Sequence, residues 1–463
     1  MKFGGTSIGN AEKIKDVAKI VKEHSKKHQI IIVVSALNGV TDSLVTLIDY
    51  AKKSNLGKTT TALKELKDKH IDVAKNSIND PVIINEVLKN ITSKIDELQK
   101  IVDGVMILGE ITNRSKDKIL SFGERLSVLI VDGALRDIGL NTKYYTGAEV
   151  GIVTDEEYGE ANPLMNISKM KITKTLEPLL NKGIIPVITG FIAATQTGEI
   201  TTLGRGGSDF TATILGAALS VDEVWICTDV DGIMTIDPKI LSTAKTIPHL
   251  SYSEALEMTV FGAKALHPRA LEPAFEYRIP IRIKNTFNLS GPDTLITMNQ
   301  NIVEGEIAKS VALIKDVAMV NIGGAGMIGK PGIAAKIFDT FAKEGINILM
   351  ISQSVSEANI SLIINRNHLE NAVNSLEITL LSRGIANQVS AEDDICVISV
   401  VGAGMKGAKG VAARVLKAIA EKNVNVRMIA QGSSELNISI VVKEKECKEA
   451  VIAIHEEFKL GRT

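Results

Sequence analysis

The chain has 463 residues, 45% of them hydrophobic and 23% charged, and a formal net charge of −1. That balance fits a globular protein of about two to four domains and excludes a nucleic-acid or anionic-membrane binder, because no basic surplus is present and only 10 Phe, 6 Tyr and 1 Trp are on hand for stacking. No apolar run reaches the roughly 18 residues of a membrane span, no signal region opens the chain, and Cys227, Cys396 and Cys447 stand too far apart for a zinc site, so a cytoplasmic enzyme in a reducing compartment is expected.

In chain order, MKFGGTS opens on a glycine pair and runs into a helical pattern through Ile14, Val17, Ile20 and Val21. Glycines between a strand and a helix can wrap phosphates, and Lys2 can supply a point charge. Almost nothing precedes Lys2, so the strand feeding this loop is expected to be short. Gln29–Leu37, QIIIVVSAL, is nearly all apolar, the pattern of a strand covered on both faces. It ends in Ser35, with Thr41 just beyond, where parallel sheets bind ligands. Residues 50–118 turn Lys/Asp/Glu-rich with helical spacing, read either as a lid or as a solvated helical layer.

Ile119–Leu129 is read as a helix carrying Glu124 and Arg125, and Gly183–Phe191 as another buried strand ending in Gly190 and Phe191. Thr201–Leu215, TTLGRGGSDFTATIL, follows: a glycine-rich bend entering an apolar helix, with Ser208 and Asp209 at N-cap positions. A helix start with free N–H groups favours an anion, and Arg205 adds a planar fork for a carboxylate or phosphate. An anionic substrate held here is the first functional expectation. Glu223–Thr228 is a further strand, closing in TDVDG; acidic and hydroxyl groups there suit a nucleotide's ribose or its magnesium, or else form a plain turn. Phe261–Pro268, FGAKALHP, carries Lys264 and His267, the latter read as structural. Alternating strands and helices to about residue 285 imply an α/β domain, with its boundary in Thr286–Ser310.

The remainder is a duplication. GAGMIGKPGIAAK from Gly324 matches GAGMKGAKGVAAR from Gly402 at an offset of 78, which also aligns Asn347 with Asn425, Gln353 with Gln431 and Asn359 with Asn437 without a gap. Each copy reads as a small βαββαβ unit. Both copies also spell GxGxxG, but NILMIS and NVRMIA stand where a dinucleotide fold needs a ribose-binding acid. A GxxxxGK phosphate loop fails as well, because Pro331 replaces the hydroxyl residue and Ala408 the second copy's lysine.

The set KFGGTS, VSALNGVT, SFGERL, TLGRGGSD, TDVDGIMTIDP and FGAKALHP, in that order and followed by the tandem repeat, resembles the aspartokinases of the amino-acid kinase superfamily over essentially the whole chain. The resemblance implies an α/β fold: an amino-acid-kinase (carbamate-kinase-like) αβα sandwich over residues 1–290, a linker over 291–310, and two βαββαβ ACT-like domains over 311–390 and 391–463. It implies transfer of a phosphoryl group from ATP, with Mg2+, to the side-chain carboxylate of L-aspartate. Lys2 and Asp209 are the expected catalytic residues, and Ser35, Thr41, Glu124, Phe191, Arg205 and Ser208 the expected aspartate pocket. Lys2, Phe3, Gly4, Gly5, Thr228, Asp229, Met234, Lys239, Lys264 and Ala265 match the family's ATP positions, although relatives commonly have tyrosine and arginine where Met234 and Lys239 stand. No dedicated metal cage is expected, since magnesium sits mainly on phosphate and water.

Asn347, Ile348, Gln353, Asn359 and Ile360, with Asn425, Gln431 and Asn437, are the positions expected around an amino-acid effector, threonine or lysine, in a homodimer or homotetramer; caps between stacked modules are the plainer alternative for the second set. No homoserine dehydrogenase domain is expected after the second module. Three other readings stay open: an amino-acid-sensing protein with an impaired kinase domain, another amino-acid kinase, and a dehydrogenase with a regulatory repeat.

Overall fold

A computed structural model describes residues 1–260, 266–300 and 306–460. By internal contacts these form two units, one made of Met1–Ile233, Pro248–Tyr252 and the described part of Lys264–Asn299, the other of Met234–Ile247 and the described parts of Ser253–Ala263 and Gln300–Thr463.

The first unit is built on an eight-stranded sheet ordered Thr142–Tyr145, Ile185–Thr189, Ile32–Val34, Lys2–Phe3, Val224–Thr228, Ile281–Asn285, Thr294–Thr297, His249–Ser251. Its middle is parallel: Lys2–Phe3 runs alongside Ile32–Val34 on one side and Val224–Thr228 on the other, and both of its residues are buried. The expected short first strand is therefore the central one. From it the chain builds outward first to one side and later to the other, which makes the carboxyl end of Lys2–Phe3 a topological switch point. Loops leaving neighbouring strands diverge at such a point and leave a crevice.

The apolar runs read as buried strands lie in this sheet: Ile32–Val34 and Ile185–Thr189 are buried throughout. Residues 50–118 fold as helices, Leu56–Ser77, Pro81–Leu108 and Asn113–Leu120 following Val40–Lys52. Leu63, Val73, Ile91, Leu98 and Val102 share one core with Phe3, Ile32 and Val187 of the sheet. Such a layer is packed onto the domain; it is no hinged lid. A smaller sheet, Val153–Thr154, Ile192–Thr195 and Ile200–Thr202, leads into the glycine bend.

In the second unit the repeat forms a single six-stranded sheet, Ile348–Gln353, Asn359–Asn365, Ser310–Gly323, Gln388–Val401, Asn437–Lys443, Met428–Ala430. Its two central strands are long and shared. Val317–Gly323 pairs with the second half of the first copy, whereas Ser310–Ile314 pairs with Val397–Val401 of the second. The second copy's outer strand is thus supplied by the start of the long strand that opens the first copy, and among the described residues the chain ends in helix Cys447–Glu457 and the turn after it. A β-bulge with Asp316 at φ 58° marks where the long strand passes between copies. Helices Ile333–Lys343 and Val411–Ala420 each close a separate apolar core, around Ile337, Phe341 and Leu362 in one and Val415, Ile419 and Ile440 in the other.

Candidate active site at the sheet's carboxyl edge

Lys2 and Asp209, from two of the glycine motifs, meet at the switch point. Lys2 Nζ lies 2.6 Å from Asp209 Oδ1, both side chains about one-tenth exposed. Lys2 comes from the central strand and Asp209 from the first turn of helix Gly207–Leu219. A buried pair of this kind costs desolvation and is weak stabilisation by itself; it holds the Lys2 ammonium beside the first turn of helix Gly207–Leu219. The glycine pair follows directly. A Cβ on Gly4 would lie 3.4 Å from Lys2 Nζ, and one on Gly5 would lie 2.9 Å from the Ala36 carbonyl oxygen, closer than real Cβ atoms tolerate. Gly5 is therefore what lets the first loop pass the end of strand Ile32–Val34.

Glu124 projects from the first turn of helix Phe122–Asp137, only 5% exposed, and accepts the Ala36 N–H at 3.0 Å. Burial pushes its carboxyl up to about 8, against the Ala36 hydrogen bond and the attraction of Lys2. Ser35 closes the same strand end, its carbonyl accepting the Ser127 hydroxyl at 2.6 Å. Thr41 is exposed in the first turn of Val40–Lys52.

Phe191 has φ 66°, a left-handed conformation that a phenylalanine adopts only when its surroundings demand it. Its N–H donates to Thr211 Oγ1 at 3.0 Å and its carbonyl accepts the Leu203 N–H at 2.9 Å, so it locks the glycine bend from below. Ser208 is buried, close enough that a Cβ on Gly190 would fall 2.4 Å from its own.

One local expectation is corrected. The helix is capped by Gly206, at φ 70°, with no side-chain cap, and Ser208 and Asp209 lie inside its first turn. The left-handed glycine ends the bend, which frees Asp209 to face Lys2. Arg205 stands on the bend, exposed, and makes no ion pair with a described residue.

Thr228 and Asp229 lie at the end of the strand beside Lys2–Phe3, hydroxyl to carboxylate at 3.2 Å. Asn285 Nδ2 donates to Asp231 at 2.8 Å. Met234 and Lys239 belong to the second unit: Met234 bridges Thr246, and Lys239 is exposed with its N–H on Asp237. Lys264 and Ala265 lie outside the described residues.

In the second unit Asn347, Gln353 and Asn359 are exposed at the ends of strands Ile348–Gln353 and Asn359–Asn365, Ile348 is half-buried and Ile360 buried. Asn425 and Gln431 are exposed, whereas Asn437 is buried and its amide donates to Glu257. Both glycine loops of the repeat are closed by a carboxylate at the same offset. Gly329 N–H donates to Glu357 at 2.9 Å and Gly407 N–H to Glu435 at 2.7 Å.

Sequence reasoning missed Asp117, which is fully buried and accepts Gly159 N–H, Thr202 N–H and Thr202 hydroxyl at 2.9 Å each. It pins the strand that enters the bend. No local motif signals it, because its partners lie 42 and 85 residues away. His267 and Arg269 also pack onto the bend. The signal for them was the HPR that ends the last glycine motif.

The amino acid kinase family model matches residues 1–285, and an ACT domain model matches 320–380 and 398–458. Aspartokinase 1 of Arabidopsis thaliana is 32% identical over 471 residues, covering 99% of this chain and 79% of its own length. The bifunctional aspartokinase/homoserine dehydrogenase 1 of the same plant is 35% identical and covers 100% of the chain, which spans 51% of that relative; the chain is thus about half the length of the bifunctional relatives it matches. Among solved structures, E. coli aspartokinase III in complex with aspartate and ADP superposes with a TM-score of 0.83 at 27% identity, covering 98% of both chains. The same enzyme in complex with lysine and aspartate gives 0.82 at 26%, covering 99% of this chain and 98% of the other.

Proposed function

As the chain belongs to the amino acid kinase family and, within it, to the aspartokinases, we propose that it transfers the terminal phosphoryl group of ATP to the side-chain carboxylate of L-aspartate, giving 4-phospho-L-aspartate and ADP. The observation that carries this reading is the Lys2–Asp209 pair, 2.6 Å apart and beside the glycine pair at the switch point.

An ionised carboxylate is already a nucleophile, so no general base is needed; catalysis reduces to bringing two anions into line and neutralising charge on the moving phosphoryl group. Lys2, oriented by Asp209, supplies that charge, and the N–H groups of Gly4 and Gly5 assist. Arg205 clamps the α-carboxylate and Glu124 takes the α-ammonium, with Ser35, Thr41, Phe191 and Ser208 completing the pocket. Thr228 and Asp229 are assigned to the nucleotide; Met234, Lys239, Lys264 and Ala265 match the family's remaining nucleotide positions.

Mg2+ carried on the phosphates of ATP would offset their charge. Among the described residues no cluster of three or more His, Cys, Asp or Glu side chains could hold a metal ion; Asp209 is the carboxylate that would orient a water on the phosphate-bound cation.

Catalysis is assigned to 1–290 and regulation to 311–390 and 391–463. Lysine or threonine is the effector, bound around Asn347, Gln353 and Asn359, in a homodimer or homotetramer. The ligands named for E. coli aspartokinase III, aspartate, ADP and lysine, support substrate and effector alike. The buried free thiols of Cys227, Cys396 and Cys447 support a reducing, cytoplasmic compartment. Among the described residues, no helix is long and apolar enough to cross a membrane.

The test is ADP release from ATP with aspartate, glutamate or N-acetylglutamate as acceptor. Aspartate should be the substrate, and Lys2→Ala should lower kcat by about 10²–10³ with the fold intact. Turnover near normal in that variant, or a preference for another acceptor, would sink the reading.

A further inference from the structure

The glycine bend that presents Arg205 is held from one side by His267, at the end of the last glycine motif, and by Arg269 just past it. His267 caps helix Pro268–Glu276, its Nδ1 accepting the Arg269 N–H at 3.4 Å. Its side chain also packs against Gly206, where a Cβ would fall 2.2 Å from His267 Cβ and 2.7 Å from its Cγ. Arg269 reaches the start of the bend, donating to the Leu203 carbonyl at 3.0 Å, to the Ala161 carbonyl at 3.0 Å and to Asn162 Oδ1 at 2.9 Å. The same guanidinium stands 5.0 Å from the ring centroid of Phe210, just past the bend.

Leu203, Gly206 and Phe210 are thus gripped by adjacent residues, and Arg205 between them is exposed. A three-glycine bend is the most mobile backbone a chain can offer. A clamp on such a loop is effective only if its ordering cost is met before the ligand arrives.

We propose that His267 and Arg269 are positioning residues for substrate recognition: they hold the backbone of Leu203–Phe210 so that Arg205 is already aimed at the carboxylate of the acceptor amino acid. The proposal rests on the reading of Arg205 as the carboxylate clamp.

The imidazole must be neutral for this, since a protonated Nδ1 cannot accept the Arg269 N–H. Burial, Arg269 and Arg205 hold its pKa below the usual 6.5, while Asp209 and Glu160 pull the other way. The grip is therefore complete at neutral pH and loosens as pH falls through that lowered value, where a third cation joins the two arginines.

Steady-state kinetics on the full chain test this, with Arg269→Lys, Arg269→Ala, His267→Asn, Arg205→Ala and the Arg205→Ala/Arg269→Lys double variant. Thermal unfolding identifies a variant that has lost its fold, and Arg269→Lys, which keeps the cation but not the fork, serves where Arg269→Ala does not fold. Arg269→Lys should raise the aspartate KM about tenfold, the size of a lost charge-assisted contact, with kcat and ATP KM within about twofold of the parent. The double variant should be no worse than Arg205→Ala, because Arg269 acts through Arg205. His267→Asn keeps a capping group that does not titrate, so the rise in aspartate KM on acidification should be smaller than in the parent, leaving only the part that belongs to Glu124.

An unchanged aspartate KM in Arg269→Lys beside a raised one in Arg205→Ala overturns the positioning role alone, as does additivity in the double variant. An acid-side rise in His267→Asn equal to the parent's removes the histidine from it. An unchanged KM in Arg205→Ala overturns the clamp reading and this proposal with it.

Discussion

Glu124 is 5% exposed and accepts the Ala36 N–H, and its carboxyl is raised from 4.5 to about 8 chiefly by burial. Because the folded value lies above the unfolded one, the protonated carboxyl's contribution to stability is whole below about pH 4.5 and is lost as pH rises through about 8. Glu124→Gln keeps an acceptor for the Ala36 N–H and does not titrate. Between those pH values the urea midpoint of the parent should therefore fall relative to the variant. If Glu124 takes the substrate's ammonium, binding also favours the carboxylate. Aspartate should then release a proton on binding below pH 8 and bind more tightly as pH rises, by up to about tenfold per unit. Calorimetry in two buffers of different ionisation heat measures this. Equal proton release by Glu124→Gln would point to another group.

At the scale of elements, the strand Ile200–Thr202 and the bend after it depend on Asp117, which joins helix Asn113–Leu120 to Gly159 and Thr202 through three hydrogen bonds. Asp117→Ala would leave the Gly159 and Thr202 N–H groups, both of which donate to Asp117 Oδ2, without an acceptor in a buried place. A loss of about 1–3 kcal/mol is expected from urea unfolding. A midpoint unchanged from the parent would mean that the helix and strand hold together without it. The helices of residues 50–118 illustrate the same dependence: their apolar faces form one core with the sheet, so neither they nor the two-residue central strand is an independent piece.

For the whole molecule, the duplicated modules have diverged in what their matching asparagines do. Asn359 is exposed at a strand start, whereas its counterpart Asn437 is buried and donates to Glu257. An effector that binds through such amides should act in the first module. Asn359→Ala should raise the lysine or threonine concentration needed for half-inhibition by about tenfold, the loss of a charge-assisted bond, with the uninhibited rate unchanged. Asn437→Ala should instead lower stability and leave that concentration near the parent's. Inhibition curves alongside thermal melts separate the two, and the opposite pattern would assign the effector to the second module.

The motifs that mark the carboxyl edge of the sheet were legible in the sequence because each is local. Glycine pairs, hydroxyls at strand ends and an arginine on a bend announce themselves within ten residues, and the duplication announces itself by an ungapped offset of 78. Order in space is another matter. That Lys2–Phe3 is the middle of eight strands, that Ser310–Ile314 completes the second copy, and that Met234–Ile247 packs with the second unit follow from pairings between distant segments. Asp117, His267 and Arg269 belong to the same class, since each acts on backbone groups far along the chain. Local pattern encodes which residues can do chemistry; only burial and long-range hydrogen bonding decide which of them are held where the chemistry takes place.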